Sequence, residues 1–131
     1  GVIMPFTAAH SRTGIPLVGG YGPAQAVKES LTRDLSAELA PHVTVNCVCP
    51  VGVPGTGMGR KMLDWKTEAT GTEPEQVLAA IARDLPLGRN AAELDVASAV
   101  LFFLSEAAGF ITGVALDVDG GAALNRLPGA S

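Results

Sequence analysis

Two short apolar runs enclose one helical pattern in residues 1–50, and this order constrains the fold more than any other feature. Val2, Ile3, Met4 and Phe6 make residues 1–7 a nearly continuous apolar run, the pattern of a buried parallel strand covered on both faces. Pro5 points to an edge position or a local irregularity. Residues 8–20 read as a loop, punctuated by Gly14, Pro16 and the pair Gly19-Gly20. In residues 23–39, Val27, Leu31, Leu35 and Leu39 recur at four-residue steps, while Lys28, Arg33, Asp34 and Glu38 fall elsewhere. That is an amphipathic helix, with Pro23 suited to its first turn and Pro41 marking its stop. Residues 43–49 then alternate Val43, Val45, Cys47 and Cys49 against Thr44, Asn46 and Val48, a strand ended by Pro50.

The remainder continues the alternation. Residues 60–70 and 74–84 read as short helices, the second carrying Val77, Leu78 and Ile81. Residues 93–104 form another, with Leu94, Ala97, Leu101 and Leu104 as its spine, and residues 114–118 a last strand before the turn Asp119-Gly120-Gly121. Strand, helix, strand, helices and strand at these spacings predict an α/β domain over residues 1–131, with a parallel sheet and crossover helices.

Composition excludes several function classes. With 47% hydrophobic and 17% charged residues the chain is globular, not disordered. A net charge of −4, with Arg60-Lys61 the one adjacent basic pair, argues against a nucleic-acid partner. No apolar run approaches the roughly 18 residues of a membrane span, and the start Gly1-Val2-Ile3-Met4-Pro5 has no signal-peptide character. Cys47 and Cys49 share one face of a strand without further cysteines, so they read as free thiols in a reducing cytoplasm, and no metal site is expected. The sequence lacks a G-x-G-x-x-G turn entering a helix and starts on a strand without methionine, so it reads as part of something longer.

The candidate chemistry gathers around Tyr21-Gly22-Pro23-Ala24-Gln25, which opens the helical pattern that ends in Glu38-Leu39-Ala40-Pro41. With the later segments Val45-Asn46-Cys47-Val48-Cys49-Pro50, Leu85-Pro86-Leu87-Gly88-Arg89, Phe110-Ile111-Thr112-Gly113 and Val118-Asp119-Gly120-Gly121, the chain resembles the short-chain dehydrogenase/reductase family nearly end to end. The resemblance implies the C-terminal half of a doubly wound, Rossmann-like domain. It also implies an NAD- or NADP-dependent oxidoreductase of small-molecule carbonyl or hydroxyl groups, and a homo-oligomer or a complementing N-terminal fragment.

By the same resemblance Tyr21 is the acid/base residue. A tyrosine hydroxyl can supply the proton that a carbonyl oxygen needs as hydride arrives. The family places a lysine four residues later, whose ammonium favours the phenolate and reaches the cofactor ribose. Gln25 stands there in this chain, keeping an amide and losing the charge. The family's substrate-polarising serine, thirteen residues before the tyrosine, is matched by Ala8. On the cofactor side Pro50, Val53, Thr56 and Met58 fall where the family holds the nicotinamide carboxamide, with Val51 replacing a glycine. Two readings follow: an oxidoreductase with impaired catalysis, and a non-catalytic homologue serving as a nucleotide-binding or interaction subunit.

Substitutes for the lost groups are few. Lys28, seven residues after Tyr21, faces roughly the same way but about 10 Å along the axis, and reads as a surface lysine. Thr7 offers a hydroxyl on the opposite strand face from Ala8. His10 and Ser11 lie in a loop able to fold over the site. By the resemblance, residues 60–84 correspond to a lid over the substrate; Met58, Met62, Leu63, Trp65, Leu78 and Ile81 form either an apolar pocket or the packing faces of two helices.

Overall fold

The computed structural model describes residues 1–11 and 19–124. Its elements run β1 (Val2–Ile3), a 3-10 turn (Ala9–Ser11), α1 (Tyr21–Leu39), β2 (Thr44–Val45), β3 (Cys47–Pro50), α2 (Gly57–Thr70), α3 (Pro74–Asp84), α4 (Glu93–Leu104), a second 3-10 turn (Glu106–Ala108) and β4 (Ala115–Val118). The expected loop punctuation at Gly14 and Pro16 lies outside the described residues, as does the side chain of His10.

The strand expected at residues 43–49 is a central one. Its first part, β2, pairs in parallel with β1 through Val2 opposite Thr44 and Ile3 opposite Val45. Its second part, β3, pairs in parallel with β4 from Cys47 opposite Ala115 to Pro50 opposite Val118. Asn46 N and Val48 N donate toward Ile3 O and Pro5 O, while Cys47 N donates to Val114 O on the other side. All pairings are parallel, as the alternation of strands and helices requires.

Helices cover both faces. On one, Val48 packs with Phe103 of α4 and Ala108, against Val96, Ala99, Val100 and Ile111. On the other, α1 lies over the strand. Because the strand is sandwiched, Val45, Asn46, Cys47, Val48 and Cys49 are all fully buried, despite an alternation that suggests a half-buried strand. Asn46 is tolerated there because both ends of its amide are used: Nδ2 donates to Ile111 O at 3.0 Å and Oδ1 accepts from Val114 N at 3.1 Å.

Several expectations are corrected. The run at residues 1–7 is not buried: only Val2 and Ile3 are strand, and Val2, Ile3 and Phe6 are exposed along the sheet's open side, with Pro5 interrupting the element. Helix α1 starts at Tyr21, two residues before Pro23, and α2 starts at Gly57 because Thr56 caps it. In the apolar row of α1, Val27 and Leu31 are exposed and Leu35 and Leu39 half-buried, while Glu29, Thr32 and Ser36 are buried. Thr32 and Ser36 satisfy their hydroxyls on carbonyls of their own helix, Lys28 O and Arg33 O, both at 2.8 Å. In α4 the expected spine is likewise outside: Leu94, Leu101 and Leu104 are exposed and Phe103 is buried. Helix α4 is apolar nearly all round, so periodicity could not tell its inner face.

Candidate functional site

Two groups of predicted site residues are built by two different elements. Tyr21 is the first residue of α1, with 41% of its surface exposed, so the ring stands at the edge of the structure. Gln25 follows one turn later on the same face and is half-buried. Its Oε1 accepts a hydrogen bond from Lys28 Nζ at 3.2 Å. Lys28, read from sequence as a solvated lysine, is exposed but tied to the residue in the family's lysine position.

The second group follows β3. Pro50 ends that strand, Val53 is buried, and Thr56 caps α2: its Oγ1 accepts from Gly59 N at 3.0 Å and donates to Val53 O at 2.8 Å. A Cβ on Gly59 would lie 1.8 Å from Val53 O, so the start of α2 closes directly onto this loop. At Gly52 an added Cβ would meet nothing within 4 Å, so the space beside that backbone is open. Met58 is exposed. Among the described residues no hydrogen bond joins Tyr21 or Gln25 to Pro50, Val53 or Thr56.

Ala8, the match to the family's serine, is buried beside Thr7, between the bridge of Phe6 to Val48 and the first 3-10 turn. Thr7 N donates to Val48 O at 2.9 Å, and Thr7 Oγ1 donates to Cys49 Sγ at 2.9 Å. The threonine hydroxyl is therefore engaged with the sulfur under α1.

A buried polar cluster here was missed by the sequence reading. Cys47 and Cys49, free and 3.5 Å apart at sulfur, sit with Thr7 beneath Glu29 of α1. Glu29 accepts from Ser11 Oγ and lies 3.9 Å from Cys49 Sγ. Hydrogen bonding to Cys47 and burial both push the Cys49 thiol up, so it stays protonated at neutral pH. The signal was available: Glu29, Thr32 and Ser36 recur at helical spacing on the side away from the leucine row.

Elsewhere, a cleft of about 490 Å³ opens beside the end of β4, lined by Val51, Leu85, Arg89, Asp117, Asp119 and Leu124 among others. Val51 lines it, but Tyr21, Gln25, Pro50, Val53, Thr56 and Met58 do not. The turn after β4 is shaped by Asp119, which accepts from Gly121 N and Ala123 N, with Gly120 and Gly121 at positive φ. The expected lid residues Met62 and Trp65 are exposed, while α2 and α3 pack on each other. Among the described residues no group of three metal-ligating side chains occurs, and no helix is long and apolar enough to cross a membrane.

Against known proteins, residues 1–123 match the family described as enoyl-(acyl carrier protein) reductase. The chain is similar to 2-(S)-hydroxypropyl-CoM dehydrogenase 3 of Xanthobacter autotrophicus, 38% identical over 122 residues, 92% of this chain and 46% of that one. It is 37% identical over 122 residues to the inactive 2-(S)-hydroxypropyl-CoM dehydrogenase 2 of the same organism, covering 92% of this chain and 50% of that one. A solved structure of actinorhodin polyketide ketoreductase with NADPH superposes with a TM-score of 0.83 at 27% identity, covering 93% of this chain and 47% of that one. The chain thus spans about half the length of the curated relatives it matches. Sequence motifs, parallel topology and these likenesses agree: the chain belongs to the short-chain dehydrogenase/reductase family.

Proposed function

We propose that this chain is the nicotinamide-facing half of an NAD(P)-dependent oxidoreductase acting on a carbonyl or hydroxyl group of a small molecule. The observation that carries the reading is Tyr21 at the exposed first turn of α1, one turn before Gln25. The residues fit one end of the cofactor. Gln25 offers an amide to a ribose hydroxyl, and the open backbone at Gly52, between Pro50 and Val53, accepts a flat ring. A bound dinucleotide would supply or take the hydride. Tyr21 would move the proton at its phenol oxygen, and Thr56 keeps the loop after Pro50 in shape through its cap on α2.

Proton transfer is weakened, because Gln25 carries no charge and Ala8 cannot polarise a substrate oxygen. Those two residues favour a second reading, a non-catalytic homologue that keeps the fold for nucleotide binding or association. Overall likeness does not choose between them, since the active and the inactive relative are 38% and 37% identical to this chain. An upstream or complementing segment would supply the pyrophosphate-binding turn, and the exposed row of Val27 and Leu31 on α1 suits a homo-oligomer. The two free thiols suit a reducing cytoplasm.

The test is NADPH-dependent carbonyl reduction by the protein and by its Tyr21→Phe variant. Turnover abolished by the change supports the enzyme reading; turnover that survives it overturns the role of Tyr21. No turnover together with saturable quenching of Trp65 fluorescence by NADPH favours the non-catalytic reading.

A further inference from the structure

We infer that Lys28 is a positioning residue that fixes which end of the Gln25 amide is offered to Tyr21, an inference that rests on the proposed role of Tyr21. Residues 21, 25 and 28 follow one another at steps of four and three, so their side chains lie along one face of α1. A glutamine amide has an accepting and a donating end, and either can lead. A lysine ammonium has donors only, so the atom it meets must be the oxygen. Lys28 Nζ stands 3.2 Å from Gln25 Oε1. With the oxygen engaged by Lys28, Nε2 is the end of the amide left for a neighbour on the Tyr21 side. The phenol then faces a donor, as it would face an ammonium donor in relatives with lysine at this position. Donation from a cation also polarises the amide and strengthens its N–H groups.

The helix backbone that carries Lys28 is tied to the buried side of α1. Lys28 O accepts from Thr32 Oγ1 at 2.8 Å, and Thr32 is buried against the sheet. The charge that Gln25 lacks is thus kept one amide further from the phenol, by a residue outside the family's usual constellation.

The experiment compares the full chain with Lys28→Met, which keeps the stem and removes the donors, and Lys28→Arg, which restores them. By NMR, cross-relaxation between the Gln25 side-chain NH₂ and the Tyr21 ring is expected in the unaltered chain and in Lys28→Arg, and is lost in Lys28→Met. Its absence from the unaltered chain, or its persistence in Lys28→Met, overturns the inference. Where the protein turns over, Lys28→Met lowers kcat about 5- to 10-fold with KM unchanged, and adds nothing in a Gln25→Ala background. Additive losses overturn the inference. A chain with the NMR signature and no turnover retains the amide geometry and refutes the enzyme reading instead, so the two failures are distinguishable.

Discussion

Thr7 Oγ1 donates to the sulfur of Cys49 at 2.9 Å, which ties the residue before Ala8 to the central strand beneath α1. The contact is buried and joins residues 42 apart in sequence. Replacing Thr7 with valine keeps the shape and removes the donor. The expected cost is about 1 kcal/mol of stability, the net worth of one intramolecular hydrogen bond, read as a lower urea midpoint at unchanged slope. Because this hydroxyl faces the thiol cluster, Thr7→Val leaves any reductase turnover unchanged. A large loss of turnover would instead place Thr7 in the serine's role.

Ala8 and Gln25 predict the outcome of restoring the family's residues. Ala8→Ser returns a donor for the substrate oxygen, and Gln25→Lys returns a charge one turn from Tyr21. In the double variant turnover rises on the order of 10²-fold, the scale of one general acid–base contribution, and each single change gives less. Measuring NADPH oxidation with a panel of small carbonyl compounds checks this. No gain in the double variant would show that the site has drifted in more than these two side chains.

Asn46 is fully buried between the two neighbouring segments of the sheet. Truncation to alanine strands a carbonyl at Ile111 and an N–H at Val114 without the amide that joins them. Each unsatisfied buried group costs about 1–3 kcal/mol, so with two such groups Asn46→Ala is expected to destabilise by about 2–6 kcal/mol in chemical denaturation. A cost below about 1 kcal/mol would mean that water replaces the amide.

What the sequence revealed, and what it hid, follows from which interactions are local. Pro74 and the apolar periodicity after it place α3 at its observed bounds, because a first-turn proline and a regular pattern are local signals. The parallel pairing of the strands follows from the helices between them. Burial was legible only in part. Val27 and Leu31 are apolar yet exposed, while Glu29, Thr32 and Ser36 are buried; the partners of Glu29, Ser11 and Cys49, lie 18 and 20 residues away in sequence and are close only after folding. The place of Tyr21 and Gln25 could be read from the motif. The hydrogen bond from Lys28 could not, because a surface lysine and a positioned one have the same sequence signature.

Asp95 and Arg89 give a pH dependence with a definite sign. Arg89 reaches the carboxylate with two nitrogens, at 2.6 and 2.7 Å, and Ala92 N donates to it at 2.8 Å at the start of α4. The guanidinium first, and the backbone N–H second, hold the Asp95 carboxyl well below the usual carboxylate range. A folded-state pKa lowered in this way contributes stability that is present above the unfolded value of 3.8 and fades as pH falls below it toward the folded value. Asp95→Asn removes the charge at every pH. The melting temperature of the variant is therefore expected to lie a few degrees below that of the parent from pH 8 down to about pH 5, with the gap closing on further acidification. Both side chains are solvent-accessible, so added salt narrows the gap. A gap that stays constant into strong acid would show that it does not come from the carboxylate charge, and no gap at neutral pH would show that the ion pair contributes nothing.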